Sequence, residues 1–371
     1  MKINICTGPN FPVPPLQGGG MARAWYGLAH NFAEHGNKVT ILARAHSQQP
    51  AQSQEGHVTI QRYGGFNQSS SLALNLTKDF FYAASVTGRL PAADITVLND
   101  FWLPVLLPRL AKSAGKVVVS VNRMPKQQYS LYRKCDAFVC PNEQVAKRLR
   151  SQNPELTDKI HVIPNPYESS SFSAGTMERS GLLYVGRIHP EKGLHLLVEA
   201  IKKLAVLLPE TSLTVIGSAA APHGGGGESY LRQIKALAAG QAIHWHGPEY
   251  DPDQLRKAYQ SHQFFIYPSL SENGETFGIA PVEAMACGCV PVTSQLAVFS
   301  NFIKPGHNGL SFPHQDFDAA DSLAAILAQA FSDSNTIKMM SDHAIKTAQS
   351  YSMPAVGSRF LKLFQTLQVQ S

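Results

Sequence analysis

Short apolar, β-branched runs alternate with stretches of helical period along this chain, and the alternation begins afresh halfway. In the first half the runs fall at 3–6, 39–42, 58–61, 95–98, 117–121 and 137–140. Between the first two, Trp25, Leu28, Ala29 and Phe32 recur at helical spacing, and Gly36 follows where a C-terminal cap belongs. Strand–helix–strand alternation requires a parallel sheet with right-handed crossovers. The pattern breaks at Ile163-Pro164-Asn165-Pro166, and the serine-rich stretch 169–180 reads as an interdomain linker. Apolar runs then resume at 182–185, 213–216, 243–246, 264–267 and 290–293. Leu194, Leu197, Val198, Ile201, Leu204, Ala205 and Leu208 line one face of a helix, and a final helix starts near Pro354. The expected fold class is α/β, with two Rossmann-like, doubly wound parallel sheets facing across a cleft where strand C-terminal ends bind ligands. A first domain spans 1–165, a second 166–350, and 351–371 form a helix returning to the first. A length of 371 residues suits two domains.

Composition narrows the class. With 44% hydrophobic and 16% charged residues, the chain is a foldable globular sequence, and its longest apolar runs are too short to span a bilayer. No basic region followed by an apolar leader opens it, so a cytoplasmic location is expected. Cys6, Cys135, Cys140, Cys287 and Cys289 are odd in number and form no C-x-x-C pair, which reads as buried thiols. Residues 1–165 hold 18 Lys or Arg against 9 Asp or Glu, and residues 166–371 hold 14 against 17, so +9 and −3 make up the net +6. The basic half suits an anionic partner, such as a phosphorylated acceptor, an acidic glycan or the inner membrane face, or is simply a solvated basic surface. No nucleic-acid motif accompanies it.

The segment 268–286 carries the most chemistry. It follows a strand and opens a helix, so its turn offers free N–H groups and a positive dipole end to a diphosphate. Glu275 and Glu283 flank seven residues, with Glu275 in the turn and Glu283 about two turns into the helix. Glu275 is placed to accept from sugar hydroxyls, and Glu283 from a ribose. Helix-dipole preference alone accounts for Glu275 tolerably and for Glu283 poorly. Gly186-Arg187-Ile188-His189-Pro190-Glu191-Lys192-Gly193 also lies between a strand and a helix. There Arg187 as a planar fork and Lys192 as a compact charge can close on a diphosphate. Gly18-Gly19-Gly20, after the first strand, permits close backbone approach. Neither a Walker loop nor G-x-G-x-x-G is present.

These features, in this order, resemble the retaining GT-B glycosyltransferases of family four. The hallmark is the paired glutamate, Glu275-Thr276-Phe277-Gly278-Ile279-Ala280-Pro281-Val282-Glu283. The N-terminal glycine loop, the Ile-Pro-Asn at 163–165 and the Gly-Arg…Lys-Gly segment accompany it. The resemblance implies a sugar moved from a nucleoside-diphosphate sugar, UDP by family frequency, to a glycan, glycolipid or small-molecule acceptor. It implies Glu275, Arg187 and Lys192 as the catalytic set, with Gly19, Gly20, Asn122, Gly217, Thr276, Phe277, Gly278, Ile279 and Glu283 around the donor. It also implies front-face substitution with no cofactor or metal. Asn122 stands where family members often have His, so positioning is expected there and not proton transfer. Asn99, Asp100, Trp102 and Arg123 are acceptor-side candidates, although an Asn-Asp turn with a packed aromatic explains the first three equally well. Gly224–Gly227 reads as a mobile loop. His244 and His246 lack a third ligand, and Asp251-Pro252-Asp253 reads as a helix cap. A catalytically silent nucleotide-sugar-binding subunit and a sugar-nucleotide epimerase are the rival readings.

Overall fold

The computed structural model describes residues 1–16, 19–69, 71–221 and 224–369. It separates into two compact units, Met1–Pro166 with Met353–Ser371, and Tyr167–Ser352. The first unit contains strands β1 (Lys2–Pro12), β2 (Lys38–Arg44), β3 (Gln52–Glu55), β4 (Val58–Tyr63), β5 (Ile95–Leu98), β6 (Lys116–Ser120), β7 (Ala137–Cys140) and β8 (Ile160–Val162). Their order in the sheet is β3-β4-β2-β1-β5-β6-β7-β8. Every pairing is parallel except β3 on β4. Helices α1 (Gly20–Glu34), α2 (Leu72–Thr87), α3 (Leu103–Leu110) and α4 (Glu143–Gln152) cross over between strands. The central strands are covered on both faces, which is why β5 and β7 read as continuous apolar runs and not as alternation.

The last helix, α11 (Met353–Val369), belongs to this first unit. The apolar face of α1 meets it: Trp25 lies edge-on to Phe360 at 5.1 Å, and Phe32 to Phe364 at 5.6 Å. The two helices approach so closely that a Cβ on Gly357 would collide with Asn31 Oδ1. Gly36, at φ 78°, takes the left-handed position after the end of α1.

The second unit contains β9 (Leu182–Val185), β10 (Leu213–Ile216), β11 (Ile243–Gly247), β12 (Phe264–Tyr267), β13 (Val290–Ser294) and β14 (Leu310–Phe312). They form a wholly parallel sheet in the order β11-β10-β9-β12-β13-β14. Helices α5 (Leu194–Leu207), α6 (Gly227–Leu237), α7 (Pro252–Ser261), α8 (Ile279–Ala286), α9 (Ala319–Phe331) and α10 (Ser334–Gln349) complete it.

Two expectations need correction. The stretch 169–180 is not a free linker. Phe172 is buried against Tyr259 at 5.9 Å, and Arg256 and Gln260 donate to the carbonyls of Ser171 and Ser173. One large apolar anchor inside a polar run is enough to seat it on the second unit. Helix α8 starts only at Ile279, because Gly278 at φ 82° breaks the helical path, so Glu283 lies little more than one turn into it.

Candidate functional site

In the second sheet the chain order reverses between β9 and β12, which are neighbours. At such a switch point two loops leave adjacent strands in opposite directions and open a crevice at the strand C-terminal ends. The loop after β9 holds Arg187 and Lys192, and the loop after β12 holds Glu275. The topology therefore brings together the charged residues that lie more than eighty positions apart.

The two loops are locked together. Leu270 N donates to the carbonyl of Glu191 at 2.8 Å. Gly193, at φ 68°, packs so closely that a Cβ there would strike the Pro268 carbonyl oxygen. Lys192 Nζ lies 2.5 Å from Glu275 Oε2, and the two side chains are only 7% and 8% exposed. Tyr267, at the end of β12, donates its hydroxyl to the same Oε2 at 3.1 Å, and Lys192 sits 5.4 Å from the centroid of its ring. Burial, and then the charge of Glu275, push the Tyr267 phenol well above its ordinary pKa, so it stays a donor. Breaking such a buried pair leaves an uncompensated charge and costs about 3–5 kcal/mol. Glu275 Oε1 lies on the side of Gly278, 3.8 Å from where a Cβ would stand.

Arg187 is more open. It reaches Glu191 at 2.6 Å, with side chains 43% and 31% exposed, and donates its other terminal nitrogen to the Gly224 carbonyl. Gly224, read from sequence as part of a loose loop, is thus a direct neighbour of Arg187. Gly217 presses on the turn before Arg187, and a Cβ there would strike the Gly186 carbonyl. No side chain caps α8, whose N-terminus follows directly on the segment 275–278. Thr276 and Ile279 are partly buried in that turn. Phe277 is buried between Phe302 and Tyr351, which leaves its backbone, and not its ring, for a ligand. Glu283 is 9% exposed and accepts from the Tyr259 hydroxyl at 3.3 Å. Tyr267, Tyr259 and Glu191 were not singled out in the sequence. A tyrosine closing an apolar strand reads as core, and only the topology turns it towards Glu275.

In the first unit the reversal falls between β1 and β5. Gly19 caps α1 at φ 88° with a Cβ site against Phe11, whereas a Cβ on Gly20 would meet nothing within 4 Å. Gly18 lies outside the described residues. Asn122 joins a polar chain: Ser120 donates to its Oδ1 at 2.9 Å, and its Nδ2 donates to Asn99 Oδ1 at 2.7 Å. Asn122 also lines a small cavity with Met21, Ala24 and Trp25. Trp102 packs on Phe80 and Phe101 and donates to the Leu76 carbonyl at 2.9 Å. Arg123 is exposed. The carboxyl of Asp100 is enclosed, and burial followed by the charge of nearby Asp79 pushes its pKa well up.

Among the described residues no three His, Cys, Asp or Glu side chains are grouped to hold a metal ion. His244 and His246 stand exposed on β11, and Asp251 caps α7 by accepting from Asp253 N at 2.9 Å. The cysteines are all buried and free. No helix among the described residues is long and apolar enough to cross a membrane.

Residues 18–170 match the family described as Glycosyltransferase Family 4, and residues 170–347 match Glycosyl transferases group 1. A curated relative, the phosphatidyl-myo-inositol mannosyltransferase of Mycolicibacterium smegmatis, is 28% identical over 59% of this chain and 55% of its own length. The match thus spans about half of that relative. The solved sucrose-phosphate synthase of Thermosynechococcus elongatus superposes over 100% of both chains, with TM-score 0.83 at 18% identity. The Anabaena protein HepE, solved with UDP and glucose, covers 99% of this chain and 100% of its own, with TM-score 0.75 at 16% identity. At such identities the likeness is one of fold, and that fold is GT-B.

Proposed function

Because the chain belongs to the family-four glycosyltransferases of GT-B fold, we propose that it moves a hexose from a nucleoside-diphosphate sugar to a hydroxyl of a glycan, glycolipid or small-molecule acceptor, with retention of configuration. The observation that carries this reading is the buried Lys192–Glu275 pair at the switch point, with Arg187 on the same loop as Lys192 and the uncapped N-terminus of α8 on the loop that holds Glu275. Arg187, Lys192 and those amides would hold the diphosphate and stabilise the charge that builds on it as the glycosidic bond breaks. Glu275 would present Oε1 to sugar hydroxyls, and Glu283 is the candidate for the ribose. Asn122, already oriented by Ser120 and Asn99, would position the transferred sugar.

Front-face substitution suits this site. Glu275 accepts from the Tyr267 hydroxyl and, with donor bound, would accept from sugar hydroxyls, so it is no free nucleophile. The departing phosphate oxygen would then take the acceptor proton. UDP is the donor base we favour, since a protein of the same fold was solved with UDP and glucose. A glycolipid acceptor is favoured by the lipid-mannosylating relative, and peripheral contact with an anionic inner membrane face by the basic first half. Two cations at the phosphate site support transfer without a bound metal.

The test is release of nucleoside diphosphate from a panel of nucleotide sugars in the presence of candidate acceptors, with and without chelator. Turnover that chelator leaves unchanged is expected. Donor binding with no release in any acceptor mixture would favour a silent binding subunit. Inhibition by chelator, reversed by a divalent ion, would contradict the metal-free mechanism.

A further inference from the structure

Both cations assigned to the donor diphosphate are covered by carboxylates of their own unit. Lys192 is covered by Glu275 at 2.5 Å, and Arg187 by Glu191 at 2.6 Å. Glu191 directly precedes Lys192 in a short 3-10 turn, and His189 Nδ1 faces its amide at 3.3 Å. Its carbonyl holds Leu270 N, so its backbone is fixed to both loops while its side chain stays 31% exposed. Glu191 can therefore swing to solvent without disturbing the crevice.

A phosphate and a carboxylate cannot both crowd one cation in a shielded pocket without repulsion. A clamp cation with no anion is equally unfavourable there. We propose that Glu191 and Glu275 are internal counter-anions of the clamp, each occupying its cation until a nucleoside diphosphate takes its place. This rests on reading the loops after β9 and β12 as the donor phosphate site. On donor binding, Arg187 and Lys192 exchange carboxylate for phosphate oxygens. Glu191 turns outward, and the freed Glu275 oxygen is satisfied by sugar hydroxyls.

The exchange discriminates between ligands. A nucleotide sugar returns hydroxyl donors to Glu275, but the nucleoside diphosphate left after transfer returns none. The product is thus held more weakly than its contacts with the clamp alone would give, and the carboxylates help to displace it. Glu191 on this account sets affinity and product release and takes no part in bond making.

The test is titration calorimetry of UDP and GDP into the full chain and its Glu191→Gln and Glu275→Gln variants, with dissociation rates by stopped flow. Glu191→Gln is expected to bind the preferred diphosphate about threefold to fivefold tighter and to release it more slowly in proportion. Glu275→Gln, at the buried pair, should gain roughly tenfold or more. Should Glu275→Gln fold poorly, Glu191→Gln decides alone, because its partly exposed pair leaves Lys192 and Glu275 intact. Damage to the fold cannot tighten binding, so the direction of the change is diagnostic. Wild-type binding with no gain in Glu191→Gln would overturn the counter-anion role and leave the donor site standing. Failure of the wild type to bind either diphosphate would overturn both.

Discussion

Replacing Glu275 by Gln keeps the shape of the side chain and removes the charge that balances Lys192. The account assigns Glu275 both tasks, holding the lysine before donor arrives and holding the sugar afterwards. Steady-state transfer by Glu275→Gln is expected to fall about 10²–10³-fold, the usual loss when a transition-state contact of this kind is removed. Circular dichroism should show the fold retained, since Tyr267 can still donate to the amide oxygen. Transfer within a few-fold of wild type would take Glu275 out of the mechanism. Its neighbour Tyr267 donates to that carboxylate and so acts through it as a positioning residue.

At the scale of elements, α2 and the turn joining β5 to α3 meet over two enclosed carboxyls. The oxygens of Asp79 and Asp100 find no well-formed hydrogen bond among the described residues, and the Tyr82 hydroxyl beside them has none either. Burial raises Asp79 from 3.8 to about 6, against weaker opposition from the amides of Trp102 and Phe101. Folded Asp79 therefore keeps its proton to higher pH than it would in the open chain. Between those two values the folded state binds more protons, and stability falls as pH rises. The contribution is on the order of 2–3 kcal/mol, present below pH 3.8 and lost above pH 6. Asp100 shifts the same way, with burial first and Asp79 second. Urea midpoints for the first unit should decline across that window, and Asp79→Asn should flatten the decline. An equal slope in the variant would show that the pair has no such role.

This scale also shows what a sequence can and cannot reveal. Strands such as β5, β7 and β12 were legible because burial on both faces leaves them wholly apolar. The face of α1 was legible from its helical period. Strand β3 was not, because its Gln-Ser-Gln-Glu sequence carries no apolar signal and pairs only at an edge. Strands β8 and β14 are three residues each, too short for a period to show. Phe172 alone could not reveal that 169–180 packs down. At the site, charged residues beside glycines stood out, so Arg187, Lys192 and Glu275 were singled out, and the fold brings Lys192 and Glu275 together. Tyr267, Tyr259 and the Gly224 carbonyl were not, because a strand-end tyrosine, a helical tyrosine and a backbone oxygen look alike in any protein until topology places them.

At the scale of the whole molecule, charge is unevenly divided. Residues 1–165 carry +9 and residues 166–371 carry −3. If the basic half meets an anionic surface, binding to vesicles containing acidic lipid should weaken steeply as salt rises, because the Debye length shrinks from about 30 Å at 0.01 M to about 8 Å at 0.15 M. Vesicle binding indifferent to salt, or absent at low salt, would remove the membrane from the account. The described sequence also builds each unit around its own core, with α11 completing the first and the loops after β9 and β12 lying within the second. Donor recognition should therefore report on the second unit.

The central claim is that this crevice holds a nucleoside diphosphate through Arg187 and Lys192. It is tested most directly by thermal unfolding with UDP, GDP, ADP and their monophosphates, in the wild type and in Lys192→Ala. A ligand at about 100 times its dissociation constant adds roughly 2.7 kcal/mol of stability. We predict a clear upward shift with one diphosphate, little with its monophosphate, and loss of the difference in Lys192→Ala. Equal shifts with mono- and diphosphate, or a shift that Lys192→Ala leaves intact, would contradict the clamp.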